Sequence, residues 1–257
     1  MEPVLNVSNL GIDFGGLQAL DDFNIQVNDR EIVGLIGPNG AGKTTVFNLL
    51  TNVYKPSRGD IALAGKSTSG KKTHEIVQSG LARTFQNIRL FRDLSVIDNV
   101  KIAFHNGMRY SLLASVLRLP SYWKEEKAAT NLAMELLAVF DMESMADDVA
   151  GSLPYGAQRR LEIVRALATN PKVLLLDEPA AGMNPSETAE LMNTIRDIRD
   201  KFNVAVILIE HDMSLVMGIC ERILVLNYGL IIAHGTPEEI RNNPLVIEAY
   251  LGQQRGE

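Results

Sequence analysis

Cysteine, tryptophan and long apolar runs are what this chain has least of. It holds one cysteine and one tryptophan in 257 residues. A lone thiol, Cys220, cannot close an internal disulfide, which fits a reducing compartment. Its neighbours from Met217 to Ile223 are largely apolar, so a buried small residue is expected there rather than a nucleophile. The apolar stretches, of which Val204–Ile209 is typical, stop far short of the roughly 20 residues that a membrane-spanning helix needs. The start, Met1 to Asn6, has neither a basic cluster nor an apolar run, so no secretory leader is expected. A membrane role would then come through a partner. Positive charge is also short: 25 Lys and Arg stand against 31 Asp and Glu, a formal net charge of −6. That balance argues against broad binding of DNA or RNA, which needs many phosphate-neutralising side chains. A small phosphorylated ligand held by one local loop remains compatible with it.

With 46% hydrophobic residues, a chain of this length buries a substantial core, as one large domain or as a core domain with a smaller subdomain. Residues Val4–Leu10 and Phe23–Val27 alternate apolar and polar positions, as half-buried strands do. Glu31–Ile36, Lys172–Asp177 and Val204–Ile209 are more continuously apolar, the pattern of central strands covered on both faces. Ser186–Lys201 carries helical spacing through Leu191, Ile195 and Ile198, and Arg222–Ala233 reads as a hairpin turning around Asn227, Tyr228 and Gly229. This alternation of strand and helix predicts a largely parallel α/β sheet. Between Ile88 and Gly151 the strand signal fades. There, Trp123–Phe140 predicts a helix with Leu132, Leu136, Leu137 and Phe140 on one face.

The sequence Gly37-Pro38-Asn39-Gly40-Ala41-Gly42-Lys43-Thr44-Thr45 joins a buried strand to a helix and matches the phosphate-binding loop in full. Glycines let backbone N–H groups turn inward around phosphates, and the following helix adds its positive end. Lys43 would reach the β- and γ-phosphates, and the Thr44 hydroxyl would ligate Mg²⁺. Asp177 and Glu178 end another central strand. Alone, such a pair is a solvated strand end; beside a phosphate loop, one carboxylate can support Mg²⁺ and the other can polarise an attacking water.

Three further features carry a family resemblance. Leu153-Pro-Tyr-Gly-Ala-Gln158 precedes Asp177 by about twenty residues, Gln86 ends Arg83-Thr-Phe-Gln86, and His211 follows the next strand in Ile209-Glu-His-Asp212. Taken with the phosphate loop, these resemble the nucleotide-binding subunits of ATP-binding-cassette transporters over essentially the whole chain. The resemblance implies a P-loop NTPase core with a mainly parallel sheet, an antiparallel β subdomain and an inserted helical subdomain. Residues 1–87 would form the first part of the ATP-binding core, 88–151 the helical subdomain (extending to about 168 with the signature helix), and 152–257 the rest of the core.

By the same resemblance Phe14 stacks on adenine, although an ordinary core aromatic is the competing reading. The loop from Gly37 to Thr45 binds the phosphates, Gln86 senses Mg²⁺ and the transmembrane partner, and Asp177 supports the metal. Glu178 is the general base, His211 contacts the γ-phosphate, and Lys43 acts with them. Leu153, Pro154, Tyr155, Gly156, Ala157 and Gln158 act on nucleotide bound by the opposite subunit, and Ala181–Asn184 takes the place of a loop across the dimer interface. Pro154 departs from the family's usual serine.

Arg83–Phe91, Tyr155–Ile163, Glu178–Pro185 and the ending Gly235–Gly252 narrow the likeness to branched-chain amino acid importers, and to the longer of their two paired ATPases. That member carries extra helical sequence where this chain has Arg109–Trp123. Leu112, Leu113, Val116, Leu117 and Trp123 could lie in a core or form a docking face, and both readings stay open. The implied partners are a second ATPase subunit (as a heterodimer, or a homodimer), transmembrane permease subunits and, indirectly, a solute-binding protein, with no nucleic acid. The implied place is the cytoplasmic face of the plasma membrane. An importer of urea or short amides is the neighbouring alternative, and a lipid exporter's cassette a more distant one. A soluble cassette ATPase on nucleic acid or ribosomes would usually bring tandem cassettes, long coiled coils or basic surfaces. A P-loop kinase would not explain Gln86, Tyr155–Gln158 and His211.

Overall fold

The computed structural model describes residues 2–104 and 120–251. They divide into two compact units, one of residues 1–86 with 172–257, the other of residues 87–171. Of the stretch expected to add helical sequence, Arg109–Trp123, residues 109–119 lie outside the described residues, with Leu112, Leu113, Val116 and Leu117 among them.

In the first unit, β1 (Leu5–Phe14) and β2 (Leu17–Val27) form an antiparallel pair, and β3 (Ile32–Ile36) leads into α1 (Lys43–Leu50). Then follow β4 (Arg58–Leu63), β5 (Lys66–Ser67), α2 (Thr73–Gln78) and β6 (Leu81–Arg83). Strands β2-β1-β4-β5 make a four-stranded antiparallel sheet.

The second unit holds α3 (Val96–Ala103), α4 (Pro120–Ala138) and α5 (Tyr155–Leu167). Helix α4 buries Ala129, Ala133 and Leu137, with Leu136 at the edge of that stripe and Phe140 just beyond the helix end. Leu132, expected on that face, is 49% exposed because it lies about 100° around the helix from Ala133, on the solvent side. Trp123 is exposed as well.

The chain returns to the first unit with β7 (Val173–Asp177), α6 (Pro185–Phe202), β8 (Ala205–Ile209) and α7 (Met213–Ile219). It closes with β9 (Arg222–Asn227), β10 (Leu230–Gly235), α8 (Pro237–Arg241) and α9 (Pro244–Leu251). Strand order in the second sheet is β10-β9-β3-β8-β7-β6, parallel throughout except for the β9–β10 hairpin. The α/β class read from the sequence is therefore the observed one. Every residue of β3, β7 and β8 is buried, which is why these strands read as unbroken apolar runs. One buried cluster, including Leu5, Phe23, Leu35, Phe47, Leu175 and Ile207, unites both sheets with α1. Cys220 lies in this unit's interior, where burial pushes its thiol up to about 12, so it is protonated and unreactive. Among the described residues no helix is long and apolar enough to cross a membrane.

Candidate functional site

Three parallel strand ends and the turns beyond them assemble the site. The β3–α1 turn is held open by its backbone. Gly37 has φ 151, and a Cβ there would collide with the Leu226 carbonyl of β9. Gly42 caps α1 at φ 107, a region that L side chains rarely adopt. The hairpin turn also braces the loop, since the Gly229 N–H donates to the Ala41 carbonyl at 2.9 Å. Helix α1 has neither a side-chain cap nor an acidic residue in its first turn, so no anion of its own competes for its positive end, which faces the loop. Lys43 is buried, and its Nζ donates to the carbonyls of Gly37 at 2.6 Å and Pro38 at 2.9 Å. Burial lowers its ammonium from the usual lysine range, while Glu178 and Asp177 act in the opposite direction. Thr44 is exposed and Thr45 half-buried on the same turn.

Asp177 ends β7 and is buried; its Oδ2 accepts from the Arg83 guanidinium at 2.8 Å. Glu178 follows at φ 49, a left-handed conformation that costs a non-glycine residue of order 1–3 kcal/mol. Its N–H donates to the Ile209 carbonyl at 2.9 Å, which fixes the kink. Its carboxylate then lies between two side chains: Gln86 Nε2 donates to Oε2 at 2.9 Å, and His211 Nε2 stands 2.9 Å from Oε1. The structure thus brings Lys43, Gln86, Asp177, Glu178 and His211 into one first-unit cluster.

Phe14 is 44% exposed at the end of β1, not in the core, and meets Tyr54 edge-to-face with ring centres 5.3 Å apart. In the second unit, Leu153 and Ala157 are buried, Tyr155 is exposed, and the Gln158 amide donates to the Leu153 carbonyl at 2.8 Å. Pro154 sits at the cap position of α5, one residue before the helix, and the cap carries no side-chain hydrogen bond. The fully buried Arg159 and Glu162 pair at 2.9 Å along that helix. Glu162 also accepts from the Arg89 N–H at 3.3 Å, and Arg165 lies over the Phe91 ring at 5.7 Å. The segment after Gln86 is thereby fastened to α5.

Sequence reading missed three supporting residues. Buried Glu210 accepts from the N–H groups of Ala180 at 2.7 Å and His211 at 3.0 Å, joining the turns that carry Glu178 and His211. Desolvation raises its carboxyl above the ordinary range, against those backbone donors. Tyr250 of α9 hydrogen-bonds the backbone of Gly37, and Tyr54 backs Phe14. The neighbouring sequence motifs gave no separate signal for any of them. Asn184, by contrast, was in the expected interface loop, and it caps α6 by accepting from the N–H groups of Ser186 and Glu187.

The donor set suits Mg²⁺. A hydroxyl, one buried carboxylate and an amide are hard oxygen donors of the kind this ion takes in small number beside substrate phosphates. Among the described residues no group of three or more His, Cys, Asp or Glu forms an all-protein metal cage.

Comparisons with known proteins bear on the family and the fold. The ABC transporter family profile matches residues 20–181, and the profile "Branched-chain amino acid ATP-binding cassette transporter" matches residues 231–255. The chain is similar to the high-affinity branched-chain amino acid transport ATP-binding protein BraF of Pseudomonas aeruginosa, at 47% identity over 98% of both chains. Its identity to LivG, the protein of the same description in Escherichia coli, is 48%, covering 98% of this chain and 99% of that one. Among solved structures, the ADP conformation of an ATP-binding cassette of an ABC transporter superposes with a TM-score of 0.84 at 30% identity, covering 98% of this chain and 100% of that one.

Proposed function

The chain belongs to the ATP-binding-cassette transporter ATPases, and from that membership we propose that it binds and hydrolyses ATP to power an importer of branched-chain amino acids. The observation that carries the ATPase reading is the Glu178 carboxylate held by Gln86 and His211, each at 2.9 Å, within electrostatic reach of Lys43. Likeness to the two importer ATPases over nearly the full length supports the cargo, as does the match at the C-terminal end.

In this reading Phe14 stacks on adenine, and the Gly37–Thr45 backbone with Lys43 holds the phosphates. Thr44, Gln86 and Asp177 would hold Mg²⁺, which supplies charge neutralisation on the β- and γ-phosphate oxygens. Glu178 accepts a proton from water as the water oxygen bonds to the γ-phosphorus. The bond to the β–γ bridging oxygen then breaks, and ADP and inorganic phosphate leave. His211 steadies Glu178 and contacts the γ-phosphate. Leu153, Pro154, Tyr155, Gly156, Ala157 and Gln158 serve nucleotide held by a second ATPase subunit, so the working unit is a dimer, with a heterodimer preferred. Permease subunits and a solute-binding protein complete the importer, and the chain sits peripherally on the cytoplasmic face of the membrane.

The test is uptake into vesicles that contain the chain reconstituted with its permease, its paired ATPase and its solute-binding protein. Labelled leucine should accumulate only with ATP, and Glu178→Gln should stop it. ATP-driven uptake of urea or a short amide in place of leucine would overturn the cargo. ATP turnover with no uptake, together with co-purifying nucleic acid, would overturn the importer reading.

A further inference from the structure

One buried ion pair of the first unit is not explained by hydrolysis chemistry alone. Arg83, the last residue of β6, extends past its strand partner Leu175 and reaches Asp177. One prong of its guanidinium donates to Asp177 Oδ2 at 2.8 Å, and the other donates to Asn48 Oδ1 at 2.7 Å. The rings of Phe47 and Phe85 lie 5.4 Å and 5.1 Å from the guanidinium carbon, and the side chain is only 6% exposed. Asn48 belongs to α1, and its carbonyl accepts from the N–H groups of Val53 at 2.9 Å and Tyr54 at 3.1 Å. Nε of Arg83 has no partner among the described residues, a cost the fold tolerates for the sake of the other two bonds.

A carboxylate bonded to a fixed, planar fork cannot rotate without giving up a charge-assisted hydrogen bond. The fork in turn lies over two aromatic rings, those of Phe47 and Phe85, and it is tied to the helix whose opposite end carries Lys43 and Thr44. We propose that Arg83 is a positioning residue for the Mg²⁺ site: it sets the orientation of Asp177 and keeps that carboxylate in register with Thr44 through Asn48. The proposal rests on the reading of Asp177 as the metal-side carboxylate. Lysine could keep the charge but not the two-pronged, stacked geometry.

The experiment measures binding of the β,γ-imido analogue of ATP to the folded chain, in chelator and across a Mg²⁺ titration. Four variants are compared with the parent: Arg83→Met, Arg83→Lys, Asn48→Ala and Asp177→Asn. Loss of a group that orients a metal ligand typically costs ten- to a hundredfold in metal affinity, so Arg83→Met should raise the half-saturating Mg²⁺ by about tenfold. Arg83→Lys and Asn48→Ala should shift it less, in the same direction, and binding in chelator should stay near the parent's. If Arg83→Met does not fold, the other two variants carry the comparison. Folded Arg83 and Asn48 variants with the parent's Mg²⁺ titration, while Asp177→Asn shifts it, would overturn the proposal alone. An unshifted Asp177→Asn would overturn the metal-side reading and the proposal with it. A loss of binding equal with and without Mg²⁺ would reduce Arg83 to a packing role and also overturn it.

Discussion

Glu178 and Lys43 lie in one cluster, yet they should fail differently when changed. In its proposed role Lys43 would neutralise phosphate charge that is present before any bond breaks, so Lys43→Ala should weaken ATP binding itself, as seen by displacement of a fluorescent nucleotide. Glu178→Gln keeps the shape and one acceptor oxygen, and it removes only the proton acceptor. It should bind ATP like the parent and lose turnover by about a hundredfold or more, a fall in kcat without a rise in KM. Turnover at the parent's rate would remove Glu178 from the base's role. Both positions stood out in the sequence because a loop with fixed spacing and a carboxylate pair at a strand end are recognisable patterns, and the structure brings the two residues within electrostatic reach. Glu210 was not legible, since a carboxylate one residue before His211 looks like surface. The fold instead buries it as an acceptor for Ala180 and His211. In Glu210→Gln one N–H would face an amide donor instead of an oxygen, and a cost of about 1–3 kcal/mol is expected in urea unfolding. The pH trend is specific. The folded-state value of Glu210 lies above its ordinary 4.5, so the folded chain binds this proton more tightly than the unfolded one. That stabilisation is present below 4.5 and is lost as pH rises through the folded value. The parent's stability advantage over Glu210→Gln should therefore shrink as pH rises through that window, and an advantage that grows would contradict the assignment.

At the scale of elements, legibility followed burial. Strands β3, β7 and β8 are enclosed on both faces and show it as continuous apolar runs, whereas β4 mixes exposed Gly59 and Asp60 with buried Ile61 and Leu63. Strand β6 has three residues, too few for any periodicity, and it exists because β7 offers it a parallel edge. The two-residue hairpin turn at Tyr228 and Gly229 was legible from its glycine, and both residues take positive φ. Helix α5 poses a sharper question. Its cap position is occupied by Pro154, which offers neither a hydroxyl nor an N–H, so the first turn of the helix starts without a side-chain cap. Pro154→Ser should add a cap worth about 1 kcal/mol, seen as a higher melting temperature. If the signature acts on nucleotide held by a second subunit, the same change restores a donor toward the γ-phosphate. ATP turnover by a homodimer of this chain should then rise about ten- to a hundredfold. A melting shift with no change in rate at saturating ATP would leave Pro154 as a helix-start residue and nothing more.

For the whole molecule, one chain supplies one phosphate loop in its first compact unit and one signature helix in its second. If the signature serves nucleotide held by a second subunit, as proposed, a dimer builds two composite sites, and in a heterodimer these need not be equal. The site made from this chain's Lys43 and Glu178 with a partner's signature keeps a hydroxyl donor where that signature carries the family's usual serine. The site made from a partner's phosphate loop with Pro154 lacks a hydroxyl donor at that position. One missing charge-assisted bond to the γ-phosphate is worth roughly 1.5–3 kcal/mol, enough to slow the second site about ten- to a hundredfold if the bond tightens in the transition state. Hydrolysis by the assembled pair should thus depend mainly on this chain's own carboxylate. Glu178→Gln here should abolish most of the phosphate released, whereas neutralising the corresponding glutamate of the paired ATPase should spare most of it. Single-turnover phosphate release from the reconstituted importer separates the cases, because a fast site and a slow site give two phases whose amplitudes identify them. Equal losses from the two substitutions, or a single phase, would mean that Gly156 and the α5 helix dipole alone are sufficient to serve the opposite nucleotide.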